Sequence, residues 1–158
     1  ISEMVGVGAI KFALIQVDPT KPVIFTWDRV LDFEKNSAPY IQYSHARAGS
    51  ILRKAQRQAD TTTHDYSLLN EQIERGIILS LGKFPDMCID SSENFRPNQI
   101  ADYAISLADK FNTFYNALPV LKASPPELSD ARLILVASTK TVLHNALALL
   151  GITAPEKM

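Results

Sequence analysis

The stretch over residues 97–118 does most to limit what this chain can fold into. Ile100, Tyr103, Ala104, Leu107, Ala108, Phe111, Phe114, Tyr115 and Leu118 recur there at i, i+3 and i+4, a spacing that gathers apolar side chains on one face of a helix and does not match the two-residue period of a strand. A helix with one apolar face must bury it against other elements, so partners have to lie elsewhere in the chain. Ser37-Ala38-Pro39 offers an N-cap and a first-turn proline, and no further proline or acid appears before Asp60, which predicts a helix of about six turns. Residues 66–82 place Leu69, Ile73, Ile77 and Leu81 at helical spacing. That segment is expected to stop at Gly82 and Pro85, with a short helix over residues 86–91. Ser124-Pro125-Pro126-Glu127 reads as a capping box with proline at N1. A long helix over residues 128–150 follows, with Gly151 at C′ and Ile152 packing back. These helices, joined by ordinary connections and with no convincing sheet, predict an all-α bundle.

The first 35 residues read differently. Gly6 and Gly8 interrupt Val5-Gly6-Val7-Gly8-Ala9-Ile10-Lys11-Phe12, and Asp18-Pro19-Thr20-Lys21-Pro22 makes a turn, since two prolines three residues apart cannot continue a helix. Val23-Ile24-Phe25-Thr26-Trp27 fits either a short strand or an extended link. Residues 1–35 are therefore expected to be a short irregular connector, and residues 36–158 a helical domain.

Several kinds of chemistry are excluded. With 158 residues, about one domain's worth, and 16 basic against 17 acidic side chains, the charge is too balanced for a protein that coats nucleic acid nonspecifically. Cys88 is the sole cysteine, and His45, His64 and His144 lie far apart in sequence, so neither a disulfide nor a metal site is expected, and the cytoplasm is the expected compartment. No apolar run reaches the ~18 to 20 residues of a membrane span. No secretory signal opens the chain, which is expected to be a piece of a longer polypeptide. Gly6-Val7-Gly8 lacks the third glycine and the lysine of phosphate-binding loops. Asp28, Asp32 and Glu34 read as a solubilising cluster near a helix start. Ser44 and His45 diverge by ~100° on a helix and cannot act as nucleophile and base. Cys88 has no basic neighbour and reads as a small hydrophobe. His144, among Leu143, Ala146 and Leu147, reads as a core or edge histidine. No active site assembles.

The segment over residues 36–59 stands apart, because it holds Arg47, Arg53, Lys54 and Arg57 and no acid. On a helix, Ile41, Ala48, Leu52, Ala55 and Ala59 share an apolar stripe. Tyr40, Tyr43, Ser44, Arg47 and Lys54 form a second stripe turned from it by ~100°. Tyr40 and Arg47 point almost the same way, the arrangement that stacks an unpaired RNA base while a cation holds its phosphate. On the residues alone, tyrosines packed inward beside a solvated basic face explain this stripe better.

Residues 25–47, Phe25-Thr26-Trp27-Asp28-Arg29-Val30-Leu31-Asp32-Phe33-Glu34-Lys35-Asn36-Ser37-Ala38-Pro39-Tyr40-Ile41-Gln42-Tyr43-Ser44-His45-Ala46-Arg47, closely resemble arginyl-tRNA synthetases. Those enzymes open this stretch with Phe-Asp-Trp-Asp and close it with Pro-Tyr-Leu-Gln-Tyr-Ala-His-Ala-Arg, so that Thr26, Ile41 and Ser44 are mild departures. Val5 to Phe12 is similar to the family's Val-Gly-Ile-Gly-Ala-Ile-Lys-Tyr segment. Leu107 to Tyr115 resembles its Leu-Ala-x-x-Phe-Asn-x-Phe-Tyr, and Leu149 to Met158 its Leu-Leu-Gly-Ile-x-x-Pro-Glu-Arg-Met. The family's Asp-Ala-Leu-Arg signature stands here as Asp130-Ala131-Arg132-Leu133, with the last two exchanged.

The resemblance implies the all-α anticodon-binding domain of a class I synthetase, preceded over residues 1–35 by the tail of its catalytic domain. It implies a parent that attaches arginine to its tRNA using ATP with magnesium. The family's His-Ile-Gly-His and Lys-Met-Ser-Lys-Ser type motifs are not in this sequence, so the chain itself is expected to be inert and to need no cofactor. The implied partners are the anticodon loop of an arginine tRNA and the catalytic domain of the same polypeptide. The implied RNA-binding residues are Tyr40, Tyr43 and Arg47, with Lys54 on the same stripe. Lys122 aligns with an aromatic residue that eukaryotic members place just before the last helix. The resemblance turns the reading of the stripe from core toward RNA contact. The alternatives are a helical docking or oligomerisation module, and the anticodon domain of another class I synthetase such as the cysteinyl enzyme.

Overall fold

The computed structural model describes residues 2–32, 34–56 and 65–158. Among the described residues six helices follow in order: α1 (Ser2–Ile15), α2 (Trp27–Val30), α3 (Ala38–Ala55), α4 (Gln72–Glu93), α5 (Asn98–Ala117) and α6 (Pro126–Leu149), with a 3-10 turn at Tyr66–Leu68 before α4. No strand occurs among the described residues. α5 and α6 form the middle of the bundle. α3 packs on both from one side, α4 on both from the other, and α1 lies against α3. Ile41, Ile77, Leu107, Phe111, Phe114, Leu133, Leu143 and Leu147 close the core, each fully buried.

α3 begins where Ser37, in extended conformation, accepts a hydrogen bond from the Tyr40 N–H at 3.2 Å, which satisfies one of the orphan donors of the first turn. It ends earlier than its sequence predicts, after about five turns, because Gln56 adopts the left-handed conformation at φ 51°. The expected continuation to residue 59, with Arg57, lies outside the described residues, as does His64.

Two expectations fail at prolines. Residues 66–82 and 86–91 do not form two helices, because α4 runs unbroken through Gly82 and Pro85. Both residues are exposed. Ile77, Leu81, Phe84 and Met87 hold the opposite side to the core, and packing outweighs the local cost of the proline. α6 starts at Pro126 with Pro125 as its N-cap, so Ser124 caps nothing. The C-terminal end of α6 is as expected. Gly151 has φ 66°, its N–H reaches the Ala148 carbonyl at 2.9 Å, and the Ile152 N–H reaches that of Leu147 at 2.9 Å. This is a Schellman turn with Ile152 buried behind it.

The first residues also depart from the expected irregular connector. Ser2–Ile15 is a helix, with Val5, Ala9 and Phe12 buried against the bundle. Gly6 and Gly8 each cost a helix about 1 kcal/mol relative to alanine, which hid it in the sequence, and tertiary burial offsets that cost. The turn at residues 18–22 forms as read, with the Asp18 carboxylate accepting from the Thr20 N–H and hydroxyl at 2.9 and 2.6 Å. Residues 23–26 have no regular secondary structure, Thr26 is extended, and Trp27, expected in the same stretch, instead opens α2.

Among the described residues, one ion pair lies inside the bundle. The Glu74 side chain has no exposure and that of Arg132 has 6%, and Arg132 Nε donates to Glu74 Oε1 at 2.6 Å. Arg132 Nη1 also donates to the Pro119 carbonyl at 2.8 Å. Glu74 Oε2 turns back to the Glu71 N–H at 3.0 Å and caps α4. Replacing Arg132 with Met leaves a buried carboxylate uncompensated, and the variant should lose about 3–5 kcal/mol of unfolding free energy in urea titration. A loss below about 1 kcal/mol, the range of exposed pairs, would contradict this account.

Candidate nucleic-acid interface

α3 and α5 run side by side and present one composite surface. Tyr43 and Arg47 come from α3 and Tyr115 from α5, and the two tyrosines are 41% and 43% exposed. The Arg47 guanidinium carbon lies 4.7 Å from the Tyr43 ring centre and 4.8 Å from that of Tyr115, within the reach of cation–π attraction to both rings. Arg47 Nη1 donates to Asn112 Oδ1 at 2.6 Å. Asn112 Nδ2 donates to the Ser44 hydroxyl at 2.8 Å, and that hydroxyl donates to the Tyr40 carbonyl at 2.9 Å. The guanidinium is thus clamped between rings and tied through two side chains to the α3 backbone. The Asn112 bond uses one of its five N–H donors, and among the described residues no other acceptor takes the rest, beside the open groove that Arg47 lines with Tyr43, Ser50, Arg53, Tyr115, Lys157 and Met158.

The residues singled out from the sequence separate here. Tyr43 and Arg47 meet in the groove. Tyr40 sits one turn back, half-buried against the core, with its hydroxyl donating to Asp109 Oδ1 at 2.7 Å. Burial foremost, and then the Asp109 carboxylate, push the Tyr40 hydroxyl pKa upward. Lys54 is exposed in the last turn of α3, and Lys122 is exposed in the connection between α5 and α6, outside the groove. Tyr115 and Asn112 were missed. Tyr115 follows the apolar spacing of α5 and reads as core, yet its ring turns outward over Arg47. Lys157 and Met158 are groove residues that only the folded tail brings there, and Arg53, legible in the sequence only as part of the basic segment, joins them from α3.

The tail returns along α3. His45 is 1% exposed. Its Nδ1 lies 2.9 Å from the Pro155 carbonyl, which can only accept, so Nδ1 carries the proton. The ring sits 5.8 Å from that of His144, so two histidines distant in sequence are neighbours in space. Among the described residues no group of three or more His, Cys, Asp or Glu side chains is gathered to hold a metal, and no helix is long and apolar enough to cross a membrane.

The pattern of the DALR anticodon binding domain family matches residues 41–158. The chain belongs to this family. It is 46% identical over 161 residues to the arginine–tRNA ligase of Pyrococcus abyssi and 43% identical over 158 residues to that of Ignicoccus hospitalis, covering all of this chain and 25% of each relative. It therefore spans about a quarter of the length of these relatives. Among solved structures, the arginyl-tRNA synthetase of Thermus thermophilus matches with a TM-score of 0.91 at 38% identity, over 99% of this chain and 27% of that one. That of Plasmodium falciparum matches with 0.87 at 28% identity, over 99% and 28%. In this member of the DALR family, the arginine of Asp130-Ala131-Arg132-Leu133 is the buried partner of Glu74 and belongs to the core, away from the groove.

Burial holds His45 below the ordinary imidazole value of 6.5, against the opposing pull of the Pro155 carbonyl and the Glu156 carboxylate and together with the charges of Lys140 and His144. In the unfolded chain His45 takes up a proton near 6.5, whereas in the folded chain it does so only at lower pH. Acidification from pH 7 through the window below 6.5 therefore favours the unfolded state. The melting temperature should fall across that window, and the fall should shrink in His45→Asn, which keeps an N–H donor but does not titrate. Parallel pH profiles for the two chains would refute this assignment.

Proposed function

We propose that this chain is the anticodon-recognition part of an arginine–tRNA ligase, and that it holds the anticodon loop of an arginine tRNA while a separate domain of the same polypeptide attaches arginine. The observation that carries the reading is the Arg47 guanidinium fixed between Tyr43 and Tyr115 on an open, cationic groove. Bases of a single-stranded loop are splayed out and stack on aromatic rings or guanidinium planes, and cations track their phosphates. The outer ring faces of Tyr43 and Tyr115 and the unused donors of Arg47 suit the first task, and Arg53, Lys157 and Lys54 suit the second. Tyr40, tied to Asp109, supports the shape of α3 under this surface and offers a ring edge to the loop. Lys122 lies farther out and contributes charge alone.

ATP with its magnesium belongs to the other domain in this reading. The outer side of α1, the following link and the start of α2 expose Met4, Val7, Leu14, Ile24 and Trp27, the last at 61%. This apolar surface suits contact with the rest of a polypeptide about four times as long, as in the relatives.

Binding of an anticodon stem-loop of an arginine tRNA, measured across a salt series, tests the proposal. Tyr43→Ala and Tyr115→Ala should each weaken binding by about 1–3 kcal/mol with little change in salt slope. Arg47→Ala should weaken it and lower the log–log slope by roughly 0.7 if its partner is a phosphate. If Arg47 reads a base edge, discrimination between anticodons should fall while the slope holds. Folded Tyr43→Ala and Arg47→Ala chains that bind like the parent would overturn the reading and favour a docking module.

A further inference from the structure

Gln42, His45, Gly49 and Arg53 lie on one stripe of α3, at i, i+3, i+7 and i+11, and of these four only Arg53 also lines the groove. Gln42 has no exposure and His45 has 1%. Buried polar side chains cost free energy unless they are hydrogen-bonded, and here carbonyls of one irregular segment take a bond from each of Gln42, His45 and Arg53, with Gln42 Nε2 also 3.4 Å from the Met4 carbonyl of α1. Gln42 Nε2 donates to the Thr153 carbonyl at 2.7 Å, His45 Nδ1 to that of Pro155 at 2.9 Å, and Arg53 Nη1 to that of Glu156 at 3.1 Å. Gly49 lies beneath the same segment, where a Cβ would stand 3.5 Å from Glu156 Oε2, an ordinary contact distance, and 3.1 Å from the flexible end of the Arg53 side chain. From the far side Lys140 Nζ grips Glu156 Oε2 at 2.8 Å. The next two residues, Lys157 and Met158, line the groove beside Tyr43, Arg47 and Tyr115.

We propose that Gln42 and His45 are positioning residues for RNA binding: they hold residues 153–156 along α3 so that Lys157 and Met158 stand as one wall of the groove. Neither side chain lines the groove, and their effect on RNA is carried by the tail. Apolar residues would fill the same volume without the cost of burying polar atoms, and the carbonyls they bind are what the polar choice serves. The inference rests on the RNA reading above and adds to it which residues build the site from beneath.

Affinity for the same anticodon stem-loop tests it, with melting temperature followed for each variant. His45→Leu should bind about three- to tenfold more weakly, the span of one lost hydrogen bond. His45→Asn, which restores an N–H, should recover most of that loss. In a chain stopped after Glu156 the His45→Leu substitution should have no further effect, since the wall it positions is gone. Glu156→Gln, at an exposed side chain that can be changed without disturbing the core, should weaken binding in the same direction by a smaller factor even where His45→Leu fails to fold. The proposal is overturned if folded His45→Leu binds like the parent, if removing Lys157 and Met158 leaves affinity unchanged, if the His45→Leu loss persists in the shortened chain, or if Glu156→Gln has no effect. An unmodified chain that does not bind the stem-loop, or an Arg47→Ala chain that binds it equally well, would instead show that the RNA reading has failed, and the inference would fall with it.

Discussion

A carboxylate with no exposure to water has to be answered by a cation held close, and the pairing of Glu74 with Arg132 answers it across the bundle. The geometry is demanding because desolvation of both charges is offset only at short range and with the remaining hydrogen-bonding groups satisfied. Glu74 therefore closes the first turn of α4, and Arg132 also reaches the Pro119 carbonyl in the connection from α5. One interaction thus sets α4 against α6 and anchors the chain that joins α5 to α6. Since α5 packs on both helices, its rotation follows, and with it the direction in which Asn112 and Tyr115 emerge.

That rotation is what makes the surface arginine useful. An exposed arginine carries about 2 kcal/mol of rotamer entropy that binding would have to remove. Arg47 has surrendered much of it already, held by two rings and Asn112. A ligand then meets a guanidinium plane whose orientation is set before contact, which lowers the cost of association. The free chain carries that cost, and it is spread over side chains from two helices.

The bundle was largely legible from the sequence wherever apolar spacing and caps agreed, as in α5, the start of α3 and the Gly151 end of α6. It was illegible where tertiary packing overrode a local preference. Pro85 in α4 and the two glycines in α1 are locally unfavourable, and no pattern in their own segments announces the burial that outweighs them. Gln56 ends α3 early in a conformation that glutamine seldom adopts. In the groove, the α3 contribution could be read because Tyr43 and Arg47 share a helical stripe and match a known motif. Tyr115 could not, since its place in the α5 spacing is indistinguishable from that of a core residue until the tilt of α5 against α3 is known. The tail residues are more than 100 positions from the α3 side chains that hold them.

The Schellman turn at Gly151 sets the direction in which the chain leaves α6, and a helix end advances by ~100° and 1.5 Å for every residue added or removed. α6 is therefore a ruler. A single inserted residue anywhere along its 24 positions would aim Ile152 away from its buried seat and swing the whole return segment off α3, even if every core contact upstream were repaired. Even a change of about seven residues, which nearly restores the direction, would move the helix end by about 10 Å along its axis, whereas the connections outside it can vary one residue at a time. Divergence in this chain should accordingly leave the length of α6 nearly constant while substitutions accumulate freely on its outer face.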